Sequence, residues 1–116
     1  MADILIIEDE ADLAELYRLI LEDRGHRVVG LHEDPQAALL GSPPSVDLIL
    51  LDERLGRLSG SAFMEQFRKA YPSAKIALVS ADPVAVAEGR ARGADLVLKK
   101  PVPLSQLLDR VAGLLT

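Results

Sequence analysis

The chain has 116 residues, of which 49% are hydrophobic and 27% are charged, and it contains no cysteine. This length suits one globular domain, and the lack of cysteine excludes a disulfide framework or thiolate metal site and fits a reducing cytoplasm. The net charge of −5 argues against a nucleic-acid partner, which would require a basic surface. We see no apolar run long enough to span a membrane and no signal peptide, so we expect a cytoplasmic protein without a membrane partner.

The first predicted element is a strand at the aliphatic run Ile4–Ile7. A helix is predicted next, because five apolar residues repeat with helical spacing: Leu13, Leu16, Tyr17, Ile20 and Leu21. Gly25 is expected to end this helix. The shorter and more polar run at Val28–Val29 predicts an edge strand, and Asp34-Pro35 is typical of the cap and first residue of a second helix.

The third strand is predicted at Leu48–Leu51, which is continuously apolar, as expected for a strand buried on both faces. A loop follows this strand, and we expect the charged side chains of Glu53 and Arg57 to lie in solvent there. Ser59 or Ser61 is expected to cap the third helix.

The last two strands are predicted at Ile76–Val79 and Leu96–Leu98. Between them, Asp82-Pro83 repeats the helix cap signal, and an alanine-rich segment containing Gly89 predicts a short or irregular fourth helix. The fifth helix carries one apolar stripe, formed by Leu104, Leu107, Leu108, Val111, Leu114 and Leu115. Five strands that alternate with five helices predict a parallel sheet covered by helices on both faces.

Polar residues follow each of the four strongly apolar strands: Glu8, Asp9, Asp52, Ser80, Lys99 and Lys100. Since ligands of open α/β sheets bind beyond the carboxyl ends of the strands, we expect these residues to meet at one rim. Carboxylates without histidine or cysteine suit Mg²⁺, with Asp9 and Asp52 as direct ligands and Glu8 acting through water. A carboxylate beside Mg²⁺, a lysine and a hydroxyl would also suit phosphoryl transfer.

The motifs IIEDE, DLILLDERLGRLSG, ALVSAD and GADLVLKKPV, in this order and spacing, resemble the receiver domain of two-component response regulators. The resemblance runs from Asp3 to Leu115. It implies a flavodoxin-like α/β fold, a doubly wound five-stranded parallel sheet of order 2-1-3-4-5 with five helices. Residues 1–116 would form a single receiver domain with no output domain in this chain, which either signals by protein–protein contact or is one domain of a larger protein.

The resemblance implies a signalling switch and not an enzyme, apart from catalysis of its own phosphorylation and dephosphorylation. A histidine kinase or phosphotransfer protein would donate the phosphoryl group, and an unknown downstream protein would receive the signal. Asp52 matches the phosphoacceptor. The resemblance also implies a Mg²⁺ site formed by the side chains of Glu8, Asp9 and Asp52 and the main-chain carbonyl of Arg54.

Two further roles follow from the same resemblance. Ser80 matches the switch hydroxyl that moves onto the phosphoryl group. Lys100 matches the lysine that pairs with the phosphate, and the peptide bond between Lys100 and Pro101 is expected to be cis. Lys99 is then interpreted as a solvated neighbour.

Two positions depart from the usual pattern of the family. Proline usually stands where this chain has Gly56, and we expect the glycine to loosen the loop after the third strand. An aromatic residue usually stands where this chain has Val97, and that ring normally reports the movement of the serine. Without it, we expect the switch to depend on backbone rearrangement near Ser80 and the fourth helix.

Other functions remain possible from the sequence. An aspartyl-phosphate phosphatase of the haloacid-dehalogenase type would carry a second acid two residues after the nucleophile, where this chain has Arg54. A receiver-fold binding module that has lost phosphorylation is another possibility, as is a flavin or nucleotide binder, although the chain lacks a glycine-rich phosphate loop. Loss of the chemistry is disfavoured because all five expected side chains are present: Glu8, Asp9, Asp52, Ser80 and Lys100.

Overall fold

The computed structural model describes residues 1–41, 43 and 45–116. Within these residues the chain forms seven strands: β1 (Asp3–Ile7), β2 (Arg27–His32), β3 (Leu48–Asp52), β4 (Arg54–Leu55), β5 (Leu58–Ser59), β6 (Lys75–Ser80) and β7 (Leu96–Lys99). Five of them form one parallel sheet in the order β2-β1-β3-β6-β7. The predicted order 2-1-3-4-5 is therefore confirmed, and β2 is the predicted edge strand.

Five α-helices cover the sheet: α1 (Ala11–Asp23), α2 (Pro35–Leu40), α3 (Met64–Ala70), α4 (Pro83–Ala91) and α5 (Leu104–Leu115). Helices α1 and α5 pack on one face, where Tyr17 and Val111 are buried, and α2 and α3 pack on the other, where Ala38 and Phe67 are buried. In the described part of the chain, no helix has both the length and the apolar character that crossing a bilayer requires.

The central strands are buried on both faces because they lie between two helical layers. In β1, Ile4 and Ile6 belong to the core beneath α1 and α5, whereas Leu5 and Ile7 belong to the opposite core. All four side chains are at most 1% exposed. This double burial explains why the run is continuously aliphatic instead of alternating with polar residues.

The two predicted aspartate caps are confirmed. Asp34 Oδ1 accepts a hydrogen bond of 2.9 Å from the Gln36 amide at the start of α2, and Asp82 Oδ1 accepts one of 3.0 Å from the Val84 amide at the start of α4. Helix α4 is short, with nine residues, but it continues without interruption through Gly89. The prediction of a short or irregular fourth helix is therefore confirmed in its first form, because the helix is short and regular.

The loop after β3 differs from its prediction. Strands β4 and β5 pair antiparallel, and Gly56 and Arg57 form the turn between them. Gly56 has a φ of +65°, a conformation that favours glycine, and glycine at the first position is typical of one class of two-residue hairpin turns. The glycine thus permits a tight hairpin, and the expectation that it would loosen the loop was wrong.

Ser59, at the end of β5, and Ser61 do not cap α3. Both hydroxyls instead donate to Glu53 Oε1, from Ser59 and from Ser61 at 2.9 Å, and the Ser61 amide donates to the same oxygen at 3.3 Å. A 3₁₀ turn at Gly60–Phe63 then leads into α3. The cap prediction was wrong, and so was the interpretation of Glu53 as a solvated charge, because its carboxylate joins the two ends of the loop.

Candidate functional site

Three carboxylates meet at the carboxyl ends of β1 and β3. Glu8, Asp9 and Asp52 each offer one oxygen, and these oxygens lie within 4.8 Å of one another. Glu8 is 1% exposed and Asp52 is 5% exposed, whereas Asp9 is the least buried of the three. The parallel sheet produces this cluster because β1 and β3 are direct neighbours, so their carboxyl ends lie side by side.

Lys100 contributes the positive charge of the cluster. Its Nζ lies 3.2 Å from Glu8 Oε1 and 3.2 Å from Asp52 Oδ1. The Lys100 amide donates a hydrogen bond of 2.8 Å to the Ser80 carbonyl, which fixes the chain where it leaves β7. The Lys100–Pro101 peptide bond is cis, as expected, and Lys99 is exposed.

One lysine does not balance three carboxylates. Burial raises the pKa of Glu8 to about 8, and the hydrogen bond and charge of Asp52 act in the same direction. Burial lowers the pKa of Lys100, but the charges of Asp52 and Glu8 outweigh this effect and raise it overall. The cluster therefore carries excess negative charge in a partly desolvated place, which is the electrostatic setting of a cation site.

The donor set fits Mg²⁺. Mg²⁺ takes oxygen ligands, keeps several waters and commonly uses one or two carboxylates, and no histidine or cysteine lies in this cluster of described residues. Asp52 and Glu8 are held by burial and by Lys100, so two of the carboxylates are already placed. Arg54, whose carbonyl is the fourth expected ligand, lies in β4 with its side chain exposed.

Ser80 lies at the end of the neighbouring strand β6 and is 3% exposed. Its Oγ accepts a hydrogen bond of 3.1 Å from the Asp82 amide, directly before α4. Asp52, Ser80 and Lys100 line one open cavity of about 730 Å³, together with Arg54 and Asp82 from the surrounding loops. The structure thus brings all the predicted site side chains to one rim of the sheet.

Two groups at this rim were not found from the sequence. The Gly56 amide donates a hydrogen bond of 3.0 Å to Asp9 Oδ2, and the Glu53 carboxylate holds the end of the hairpin. The signal available for the hairpin was Leu55-Gly56-Arg57-Leu58, in which two apolar residues flank a two-residue turn that begins with glycine.

The sequence profile of the response regulator receiver domain matches residues 4–112. The chain belongs to the response regulator receiver domain family. Receiver domains are signalling switches of two-component systems and not classical enzymes.

Two curated relatives illustrate the similarity of this receiver domain to bacterial proteins. It is 30% identical over 107 residues to a response regulator receiver protein of Anaeromyxobacter sp. (strain Fw109-5), over 90% of this chain and 45% of the relative. It is also 30% identical over 116 residues to the phosphate regulon transcriptional regulatory protein PhoB of Escherichia coli, over 97% and 51% of the two chains. The receiver domain therefore spans about half the length of these curated relatives.

Solved structures agree on the fold. The receiver domain superimposes with a TM-score of 0.88 on a CheY-like response regulator receiver domain protein from Methanospirillum hungatei, at 24% identity over 99% of this chain and 94% of the other. It superimposes with a TM-score of 0.86 on the chemotaxis protein CheY4 of Vibrio cholerae, at 26% identity over 99% of both chains. These neighbours confirm the flavodoxin-like fold predicted from the sequence.

Proposed function

We propose that residues 1–116 form one receiver domain that works as a phosphorylation-controlled switch. Asp52 accepts a phosphoryl group from the phosphohistidine of a kinase or phosphotransfer protein, with Mg²⁺ as the metal ion. The phosphorylated domain then signals by contact with a downstream protein. The observation that carries this proposal is the buried Asp52 carboxylate, which lies beside Glu8 and Asp9 and 3.2 Å from Lys100 Nζ.

The proposed transfer is a substitution at phosphorus. A carboxylate oxygen of Asp52 forms the new bond to phosphorus, the bond between phosphorus and the donor imidazole breaks, and its electron pair remains on the ring nitrogen. Glu8, Asp9, Asp52 and the Arg54 carbonyl would hold Mg²⁺, which supplies charge neutralisation for the phosphoryl oxygens when bound. The ammonium of Lys100 is close enough to Asp52 to contact the transferred group directly.

Ser80 offers a route from the phosphoryl group to α4. In the unphosphorylated domain its Oγ accepts from the Asp82 amide, at the residue whose side chain caps α4. A phosphoryl oxygen on Asp52 is an alternative partner for this hydroxyl. A move toward it breaks the Asp82 bond and so perturbs the start of α4.

The presence of valine at position 97 also favours a switch by backbone movement, because there is no aromatic ring to turn inward. Val97 is 7% exposed and lies beneath α4, where it takes the place of the aromatic ring that is usual in the family. We therefore expect that hydrogen exchange will change on phosphorylation mainly in residues 80–95. Changes that are confined to α1 would contradict this route.

A direct test is intact mass after incubation with Mg²⁺ and a small acyl phosphate, which requires no knowledge of the kinase. We expect one phosphoryl adduct in the wild type and in Asp109→Asn, a control at an exposed aspartate of α5. We expect none in Asp52→Asn, which keeps the shape of the side chain but is a poor nucleophile. An adduct of equal yield in Asp52→Asn contradicts the proposal, and no adduct in the wild type favours a binding module without phosphorylation.

A further inference from the structure

Asp9 differs from the other two carboxylates of the cluster in its burial and in its hydrogen-bond partner. Glu8 and Asp52 are buried and share Lys100, whereas Asp9 is the least buried of the three. Among the described residues, the one hydrogen bond to its carboxylate comes from the backbone amide of Gly56, at 3.0 Å. The two residues are 47 positions apart in the sequence, so this bond joins the loop after β1 to the hairpin after β3.

Gly56 donates this bond from a backbone conformation with positive φ. Its φ of +65° is one that proline cannot adopt, because the proline ring holds φ near −65° and removes the N–H. A Cβ at this position would have no atom within 4 Å, so packing does not require glycine. In the hairpin of this chain, Gly56 combines a positive φ with an amide hydrogen, and the proline that is usual in the family could supply neither.

The hairpin that carries Gly56 is braced at its base. The Gly60 amide donates to the Glu53 carbonyl at 2.7 Å, and the Glu53 carboxylate accepts from the hydroxyls of Ser59 and Ser61. Gly60 in turn packs against the carbonyl of Asp52, since a Cβ added to Gly60 would stand 2.0 Å from the carbonyl oxygen. These contacts connect the base of the hairpin that carries Gly56 to the backbone of Asp52.

We propose that the Gly56 amide is a positioning group of the Mg²⁺ site, which holds the Asp9 carboxylate in place and ties the hairpin bearing Arg54 to the cation. This inference rests on the Mg²⁺ site of the proposed function. A carboxylate has about four lone-pair sites, so the bond from Gly56 leaves Asp9 free to ligate. Groups that hydrogen-bond to metal ligands orient those ligands, and their loss typically weakens metal binding by about 10–100-fold.

The test is Mg²⁺ binding measured by calorimetry for the wild type, Gly56→Pro and Gly56→Asn. We expect Gly56→Pro, which lacks the amide hydrogen, to bind Mg²⁺ about tenfold more weakly or worse. Gly56→Asn keeps the amide hydrogen and tolerates positive φ, so its affinity is expected to stay within about twofold of the wild type. Equal affinity of Gly56→Pro and wild type overturns the inference, as does a Gly56→Asn variant as weak as the proline variant. A wild type that does not bind Mg²⁺ overturns the proposed metal site itself.

A second measurement does not depend on the folding of the proline variant. We expect the Gly56 amide to exchange with solvent about tenfold or more slowly in the wild type than in Asp9→Ala, because the bond to a charged acceptor protects it. The Gly25 amide, which donates to the Glu22 carbonyl at 3.0 Å where α1 ends, is the control and should not change. Equal exchange of the Gly56 amide in both proteins overturns the inference.

Discussion

Gly60 packs directly against the backbone of Asp52. A Cβ atom built on Gly60 would stand 2.0 Å from the Asp52 carbonyl oxygen and 3.0 Å from the carbonyl carbon. These are backbone atoms of a strand that pairs with β1 and β6, so they cannot move aside as the end of a flexible side chain can. The close approach places the start of the 3₁₀ turn against the proposed phosphoacceptor.

This contact predicts that Gly60→Ala is destabilising. We expect a loss of about 1–3 kcal/mol in the free energy of unfolding from overpacking, and slower phosphorylation because the Asp52 backbone must shift. Urea denaturation and the rate of adduct formation from an acyl phosphate measure the two effects. Gly113→Ala is the control, since a Cβ there has no atom within 4 Å. A Gly60→Ala variant as stable as the wild type would falsify this account of the contact.

A second glycine lies where α4 meets the sheet. A Cβ on Gly89 would stand 2.5 Å from Leu78 Cδ2, and Leu78 is fully buried, so it has no open space to enter. We expect Gly89→Ala to lose roughly 1–3 kcal/mol of stability from overpacking. Gly113→Ala should instead gain about 0.5–1 kcal/mol, because alanine is the better helix former and the space is open. Equal effects of the two substitutions in urea denaturation would contradict the close packing of α4.

Mg²⁺ should stabilise the fold if the three carboxylates form its site. A ligand that binds only the native state adds about 2.7 kcal/mol when its concentration is 100 times its Kd. We expect the melting temperature of the wild type to rise with millimolar Mg²⁺ and that of Asp9→Ala to stay constant. Asp12→Ala, at an exposed acid in the first turn of α1, is the control and should respond like the wild type. An unaltered response of Asp9→Ala would place the cation elsewhere.

Glu8 should make the stability of the metal-free domain depend on pH. Burial raises the pKa of Glu8 to about 8 in the folded domain, from an ordinary value of 4.5. Between these values the folded state holds a proton that the unfolded chain releases, so the free energy of unfolding decreases as pH rises through this window. Glu8→Gln cannot ionise, so we expect it to lose this part of the slope. Urea denaturation in the presence of a chelator at several pH values measures how the free energy of unfolding depends on pH. Identical slopes for the wild type and Glu8→Gln would count against the raised pKa of Glu8.

Arg54 and Asp82 are exposed and flank the cavity above Asp52, where a hydrolytic water must enter. We expect the phosphorylated domain to lose its phosphate slowly, because these two side chains obstruct the well-placed water that hydrolysis needs. Arg54→Ala and Asp82→Ala should release phosphate faster, by no more than about fivefold, since even a direct contact between two exposed charged side chains would contribute at most about 1 kcal/mol. The double variant should be no faster than the faster single one.

A control is needed because Asp82 also caps α4. Asp34→Ala removes the equivalent cap of α2, which lies outside the cavity, and should leave the rate of phosphate release unchanged. If both Arg54→Ala and Asp82→Ala release phosphate at the wild-type rate or more slowly, the two side chains do not obstruct the hydrolytic water. Asp82 would then be a candidate for orienting the water.

Much of the architecture could be predicted from the sequence because its causes are local or periodic. The continuous aliphatic run Leu48–Leu51, between turn signals, indicates a strand buried on both faces, which is the environment of a central strand between helical layers. The Asp-Pro pairs at Asp34 and Asp82 begin helices because the carboxylate accepts from an amide two residues later. A parallel sheet then brings the polar ends of β1, β3, β6 and β7 to one rim, whatever the details of their loops.

Only the tertiary structure decided what the loop after β3 does. The bond from Gly56 to Asp9 joins residues 47 positions apart. The hydroxyls of Ser59 and Ser61 donate to Glu53 instead of accepting from amides at the start of α3. A charged residue in a polar loop has many possible partners, and local sequence does not distinguish a solvated carboxylate from one that bridges two chain segments. Whether the Glu53 carboxylate is solvated or bridges the two ends of the loop depends on how closely Gly60 packs against β3. This contact exists only once the sheet has formed.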